Sequence, residues 1–204
     1  MGRPSIGAVY NQAISQLNVV SRYLTKSKLL PPDLQGFVAE IMMLRIFGIL
    51  EYTVRETALR LACGVAYRNG VVPTNIICRC SSLNDALQNF KTLNRAKPKG
   101  NLQFTNVSNT NDAIKFVIDT SETFRLKLSI YGTQFEEMRK VRNHIAHRNS
   151  STHLNYKDVI KQRYGAYLKL KPSIFLISTK RQALPIIEEY MKVVRIIVSD
   201  ITTT

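Results

Sequence analysis

The sequence predicts an all-α protein: an antiparallel up-and-down helical bundle of four to six helices with surface loop insertions, in a single domain over residues 1–204. Three observations predict it. Apolar residues recur at three- and four-residue spacing over long segments, short stretches rich in Pro, Gly and Asn separate those segments, and no internal repeat or low-complexity linker divides the chain. With 204 residues, 45% hydrophobic and 21% charged, the chain is long enough to bury one sizeable core.

The first helix is expected over 5–24, where Ile6, Val9, Tyr10, Ala13, Leu17, Val20 and Leu24 form one stripe. The stretch "LLPPDLQG" then stops and turns the chain. A second helix is expected from about Phe37 to Ala66. It is apolar on nearly every side as far as Leu50, which assigns its first half to the centre of the bundle, and it carries Glu51. A short helix follows over 81–93, with Ser82 and Asp85 at the spacing of a capping box. Residues 94–113, polar and rich in Gly and Asn, read as a surface loop. "FRLKLSI" at 124–130 alternates with period two, as a strand does, yet runs straight into the next helical pattern, so strand and helix both stay open.

Past Gly132, Thr133 and Glu136 form a capping box that opens a helix at about Gln134, ending near Arg148. "NSSTHLN" reads as a loop, "YKDVIKQRYGAYL" as a helix, and "KLKPSIFLIS" as a proline with a short apolar run. A last amphipathic helix covers roughly 180–201. Thr179 and Gln182 make a capping box for it, and Pro185 implies a start at Leu184 or a bend.

Charge narrows the function classes. Lys+Arg number 29 against 14 Asp+Glu, a net +15 with a pI near 10, which concentrates polyanions and makes nucleic acid the leading partner. A membrane is not expected: the most apolar run, "IMMLRIFGIL" at 41–50, is interrupted by Arg45 and is far too short to span a bilayer. The start "MGRPSIGAVY" lacks a secretory apolar core and has Ile6 where a myristoylation signal wants Ser or Thr. Cys63, Cys78 and Cys80 are odd in number and lack a C-x-x-C pair, which argues against a disulfide framework and a zinc ribbon and points to reduced thiols in the cytoplasm. No cofactor is called for. Between 139 and 181 stand eleven basic residues and a single acid, Asp158, so two thirds of the net charge lies there. Arg139, Lys140, Arg148, Lys161 and Arg163 are the expected nucleic-acid contacts. Tyr156, Tyr164 and Tyr167 are interleaved with them, either for base stacking or as half-buried packing.

The chemistry gathers in "VRNHIAHRN" at 141–149. Phe135, Met138, Val141 and Ile145 follow the 3–3–4 spacing of a buried stripe. At about 100° per residue, Arg142 sits at the stripe's edge and His147 about 140° round from it, with Asn143 and His147 stacked four apart. RNA cleavage without metal needs a base for the 2′-OH, an acid for the leaving 5′-oxygen and a cation for the phosphate oxygens. Histidine and arginine are the side chains suited to these tasks. One helix offers only one such set, so a second subunit or another helix must complete the site. The plainer account is a solvated basic helix end facing the carbonyl end of the helix dipole. A zinc pair from His144 and His147 is disfavoured, because helical zinc histidines stand four apart. Glu51 has two readings, an intrahelical pair with Arg55 or an orienting partner for Arg142 or His147.

On "RNHIAH", an Arg-x4-His motif, and on the preceding long helix with Glu51, the chain resembles the HEPN (higher eukaryotes and prokaryotes nucleotide-binding) domains over roughly residues 5–200. The resemblance implies a helical bundle that dimerises so that two motifs face one cleft. In many relatives it implies a metal-independent endoribonuclease leaving a 2′,3′-cyclic phosphate, often a toxin or antiphage effector with an antitoxin or defence-system partner. Other relatives only bind RNA or a partner. Carried over residue by residue, Arg142 would hold phosphate, His147 act as acid/base and Asn143 position the substrate or His147, with Glu51 in support. Two departures are visible: Arg148 follows the His where Gly is frequent, and Asn149 stands where one subgroup has a modifiable Tyr.

Overall fold

The computed structural model describes residues 5–181 and 183–204. Among them lie nine helices and no strand: α1 (Ile6–Ser27), α2 (Pro32–Ala62), α3 (Leu83–Thr92), α4 (Val107–Ile114), α5 (Thr123–Ile130), α6 (Gly132–His147), α7 (Ser150–Tyr164), α8 (Pro172–Ile177) and α9 (Ile186–Ile201). The all-α class holds. Five of these helices have 15 residues or more, and the four short ones fill segments between them. A single bridge, Ile76 with Ile118, is the only β pairing among the described residues.

The chain forms two compact units, each assembled from separated segments. The first comprises residues 5–14, 50–135 and 196–204. Ser5 caps α1, its Oγ accepting from the N–H of Ala8 at 3.1 Å. Val9, Ala13, Val54, Leu61, Phe90, Phe124, Leu128 and Ile197 are buried, each large side chain contributing roughly 1.5–3 kcal/mol. The polar tie of this unit is Glu122, which accepts from the Tyr67 hydroxyl at 2.6 Å and from the N–H of Asn75 at 2.9 Å. Burial, together with that carboxylate, pushes the Tyr67 hydroxyl well above its ordinary range. A buried Arg125 is satisfied by the Ile118 carbonyl at 2.8 Å and Asn111 Oδ1 at 3.0 Å.

The second unit comprises residues 15–49 and 136–195. Leu17, Val20, Met43, Phe47, Met138, Val141, Tyr156, Phe175 and Val194 are among its buried residues. Tyr156 and Tyr164 both meet Phe175 edge-on, at 5.7 and 6.3 Å between ring centroids. Tyr156 and Tyr164 are therefore core side chains, and of the three interleaved tyrosines only Tyr167 stands exposed.

Several boundaries differ from expectation, each for a physical reason. α2 begins at Pro32, five residues before Phe37, because a proline at the first helical position lacks only an N–H that has no partner there anyway. Its first half is not enclosed: Leu34, Phe37, Ile41 and Leu44 are exposed along one side. The 94–113 segment holds α4, whose Asn106 side chain accepts from the N–H of Asn109 at 2.7 Å. "FRLKLSI" is helical, and its period-two pattern leaves Leu126 and Ile130 facing outward while Phe124, Arg125 and Leu128 are buried. The "NSSTHLN" loop is the first turn of α7: Asn149 Oδ1 accepts from Thr152 N at 2.9 Å and Thr152 Oγ1 accepts from Asn149 N at 3.2 Å. Gly165, at φ +74, ends that helix. α9 starts just after Pro185, while the Gln182 half of its expected capping box lies outside the described residues.

The α7 cap is testable. Asn149→Ala removes a side-chain acceptor from the helix start, and the expected cost is about 1 kcal/mol. Thermal unfolding should show a midpoint lowered by roughly 2–4 °C, whereas an unchanged midpoint would mean that the cap adds nothing.

Candidate functional site

The rotation of α6 decides where its polar residues point. Phe135, Met138, Val141 and Ile145 are buried, as their 3–3–4 spacing expects. Arg142 at the edge of this stripe is half-buried, its guanidinium carbon 5.1 Å from the centre of the Phe47 ring and its Nη1 donating to Asn143 Oδ1 at 2.9 Å. Phe47 thus gives the cation a π face, and Asn143 holds one edge of the guanidinium. His147, the last residue of α6, is exposed. Arg142 and Asn143 are therefore brought together, whereas His147 leaves the helix on an arc of its own. Glu51 is half-buried and belongs to the first unit, while Arg142 and His147 belong to the second.

Within the second unit another carboxylate meets the motif. Glu40 Oε2 accepts from Arg148 Nη2 at 2.7 Å, with the glutamate side chain 11% exposed and the arginine side chain 67%. Arg148 has φ +44, the left-handed conformation that ends a helix and that glycine adopts without strain. Its N–H donates to the His144 carbonyl at 3.0 Å, which closes the last turn. A side chain other than glycine costs about 1 kcal/mol or more in this conformation, so the position keeps an arginine against a backbone preference.

His144 is the histidine with neighbours. Its ring stacks on Tyr156 at 4.8 Å and 22° and lies 5.2 Å from the ring of His153. Its Nδ1 is 3.3 Å from Thr152 Oγ1. Because the Thr152 hydroxyl already donates to the Asn149 carbonyl at 3.0 Å, the imidazole is the donor in this contact. The remaining nitrogen, Nε2, then carries the lone pair. Burial first, then His153 and Arg148, lower the His144 pKa below its ordinary 6.5. His144 and Arg148, one turn apart, open on a cavity of about 460 Å³ with Asp33, Phe37, Glu40 and Lys171. Pro172 and Ser173 at the start of α8 close its side. Gly36 permits that closure, since a Cβ there would lie 2.8 Å from Ser173 Cβ. A larger cavity of about 680 Å³ in the first unit is lined by Tyr10, Asn11, Tyr67 and Arg68, with neither histidine nor carboxylate.

The expected nucleic-acid contacts divide. Arg139 is held by Glu136, with Nε and Nη2 donating at 2.8 and 2.5 Å. Arg163 is enclosed in a network rather than offered to solvent: Nε donates to Glu137 at 2.6 Å, Nη1 to Glu189 at 2.8 Å, and Tyr190 adds a hydroxyl to Glu137 at 2.6 Å. Burial opposes the Arg163 charge, but Tyr190 and the two carboxylates outweigh it and hold its pKa above the usual range. Lys161 is exposed and Lys140 half-exposed. Among the described residues no group of three or more His, Cys, Asp or Glu is set to hold a metal ion, and no helix is long and apolar enough to cross a membrane.

Glu40, His153 and Ser173 went unread in the sequence, and Lys171 counted only as one of the basic residues of 139–181. Glu40 carried a signal: it is the only acid in the run 37–50, where Arg45 is the only other charged residue, and an enclosed carboxylate there needs a cationic partner. No family model, curated protein or solved structure matches the chain. The chemistry of the site therefore follows from its own residues.

The depressed pKa has a sign. The unfolded chain binds a proton near pH 6.5 while the folded chain does not until lower pH, so His144 contributes stability above that value and the contribution is lost as pH falls below it. Proton NMR of the imidazole rings should give His144, assigned by its absence in His144→Gln, a midpoint below 6.5. The variant's unfolding free energy should also vary less with pH across that window. A midpoint at or above 6.5 contradicts the burial argument.

Proposed function

We propose that this chain is a metal-independent endoribonuclease of the HEPN type, acting as a homodimer on single-stranded or loop RNA in the cytoplasm, as a toxin or antiphage effector. The observation that carries the reading is the α6 arrangement. A guanidinium is steadied by Asn143 and Phe47, and a solvent-facing imidazole stands five residues on, on the most basic segment of a +15 chain. In the reaction, His147 removes the 2′-OH proton, the freed oxygen attacks phosphorus, and the 5′-oxygen departs with a proton from the same residue of a second copy. The product is a 2′,3′-cyclic phosphate. Arg142 offsets the charge that grows on the phosphate oxygens. Lys140, Lys161 and Arg148 are the phosphate contacts of the flanking strand.

Dimerisation has support of its own. Val19, Tyr23, Ile41 and Met42 line an apolar groove of about 310 Å³ between α1 and α2. Leu44 is exposed beside it, and Gly48 is open enough that an added Cβ would meet nothing within 4 Å. Exposed apolar surface of this kind is stabilised by cover, and a bare helix position lets a second backbone come close.

One observation favours a second reading, a non-catalytic module that binds RNA or a partner such as an antitoxin. In one protomer Arg142 faces Phe47 and Asn143, about 140° around the helix from His147, so a single copy has no assembled acid–base site.

Cleavage of labelled RNA in the presence of a metal chelator separates the two readings. His147→Ala is expected to lower the cleavage rate by a factor of about 100 or more while RNA affinity stays within about twofold. Arg142→Ala should lose both rate and part of the affinity. A wild-type protein that binds RNA but cuts none supports the binding module and sinks the nuclease.

A further inference from the structure

We propose that the cavity between the first turn of α2, the end of α6 and the start of α8 holds one nucleotide, with its phosphate on Arg148 and Lys171 and its base against Phe37. This extends the nucleic-acid reading to a pocket on a different arc of α6 from Arg142, since His144 lies about 200° from it.

Four observations converge on a nucleotide. The volume, about 460 Å³, falls among small-molecule sites. Two cations face it. Lys171 is exposed, and Arg148 is held by Glu40 through Nη2, the one side-chain hydrogen bond its guanidinium makes among the described residues. Its other edge is left to donate to phosphate oxygens in pairs. Phe37, 60% exposed, and Pro172 give the lining an aromatic ring and a second apolar side chain, and bases stack on an exposed aromatic face. Asp33 and Glu40 bring carboxylates into the same space. They repel a bare phosphate ion, but accept from the hydroxyl and amino groups that a nucleotide brings and inorganic phosphate lacks. The strained backbone of Arg148 is a fifth, independent pointer: a left-handed residue kept as arginine presents a cation at the cavity mouth where glycine would be the relaxed choice. His144, with its lone pair on Nε2, faces the bound nucleotide and reports on it.

The test uses the full chain and adenosine 3′-monophosphate, followed by NMR at low salt, with inorganic phosphate as a second probe. Saturable binding of the nucleotide is expected, with a shift of the His144 ring protons, and inorganic phosphate should bind at least about tenfold more weakly. Arg148→Gly should weaken nucleotide binding about tenfold or more; because it also leaves the enclosed Glu40 carboxylate without its cation, the exposed Lys171→Ala is the second variant, expected to weaken nucleotide binding severalfold without lowering the unfolding temperature. This separates loss of a ligand from loss of fold. Phe37→Ala should weaken the nucleotide but leave inorganic phosphate unchanged. Absence of saturable binding, equal affinity for the two probes, or an unaltered affinity in Arg148→Gly overturns the proposal. Arg142→Ala and His147→Ala should leave this binding unchanged. A chain that cuts no RNA yet binds the nucleotide as described therefore keeps the pocket and loses the nuclease, and a chain that cuts RNA without binding the nucleotide does the reverse.

Discussion

The burial of Phe135, Met138, Val141 and Ile145 fixes the rotational phase of α6, and the rest of the site depends on that phase. A helix has one degree of freedom about its axis, and a stripe of side chains at 3–3–4 spacing removes it. Once it is gone, Arg142 has to leave at the stripe's edge, where Phe47 and Asn143 receive it. His144 has to leave toward α7, where Tyr156 and Thr152 receive it, and His147 has to leave toward solvent. Turning α6 by one residue would send Asn143 where Arg142 now lies and strand the guanidinium. The chemistry of this segment is thus set by four apolar residues that take no part in it.

The positive charge does two different jobs. Arg163, bound by Glu137 and Glu189 with Tyr190 beside them, is structural, since a cation with so little exposure is held by partners that compensate its lost hydration. Arg139 is paired within its own helix turn, and Lys99 and Lys115 are both spent on Asp112, whose carboxyl their hydrogen bonds hold down at about 2. Within 139–181 the cations that face solvent include Lys161, Lys169, Lys171, Lys180 and one edge of Arg148, with Lys140 half-exposed. Counting basic residues along the segment 139–181 overstates the face that RNA would meet.

Much of the fold was legible because periodicity is a local signal. Ile6, Val9, Ala13, Leu17, Val20 and Leu24 are spaced for one buried face and all are buried. Legibility failed where one residue type serves opposite ends. Asn106 and Asn149 look like loop formers, yet each caps a helix with its side-chain oxygen; Pro32 looks like a stop, yet it begins α2. Leu126 and Ile130 made a strand-like alternation because they are exposed apolar residues, and a sequence does not show which apolar residues stay outside. The same ambiguity hid the open side of α2. At the site, the motif was readable as a set of residue types at fixed spacing. Its partners were not, because Glu40 lies 108 residues from Arg148 and only the packing of α2 on α6 joins them.

The end of α6 concentrates the local costs of the second unit. Arg148 has a backbone conformation suited to glycine, Glu40 is a carboxylate with little access to water, and His144 is an imidazole that burial pushes toward its neutral form. Each could be relieved by an ordinary substitution: glycine at the helix end, an aliphatic side chain in the α2 run, an apolar residue against Tyr156. Stability alone would select those replacements, since a buried ion pair rarely outperforms well-packed apolar side chains. A chain that instead keeps the strained arginine, the enclosed carboxylate and the half-buried imidazole around one cavity has traded stability at a single place. Such costs persist where the groups involved do something that apolar packing cannot, and here that is to hold charge and a proton acceptor at fixed positions beside an open space.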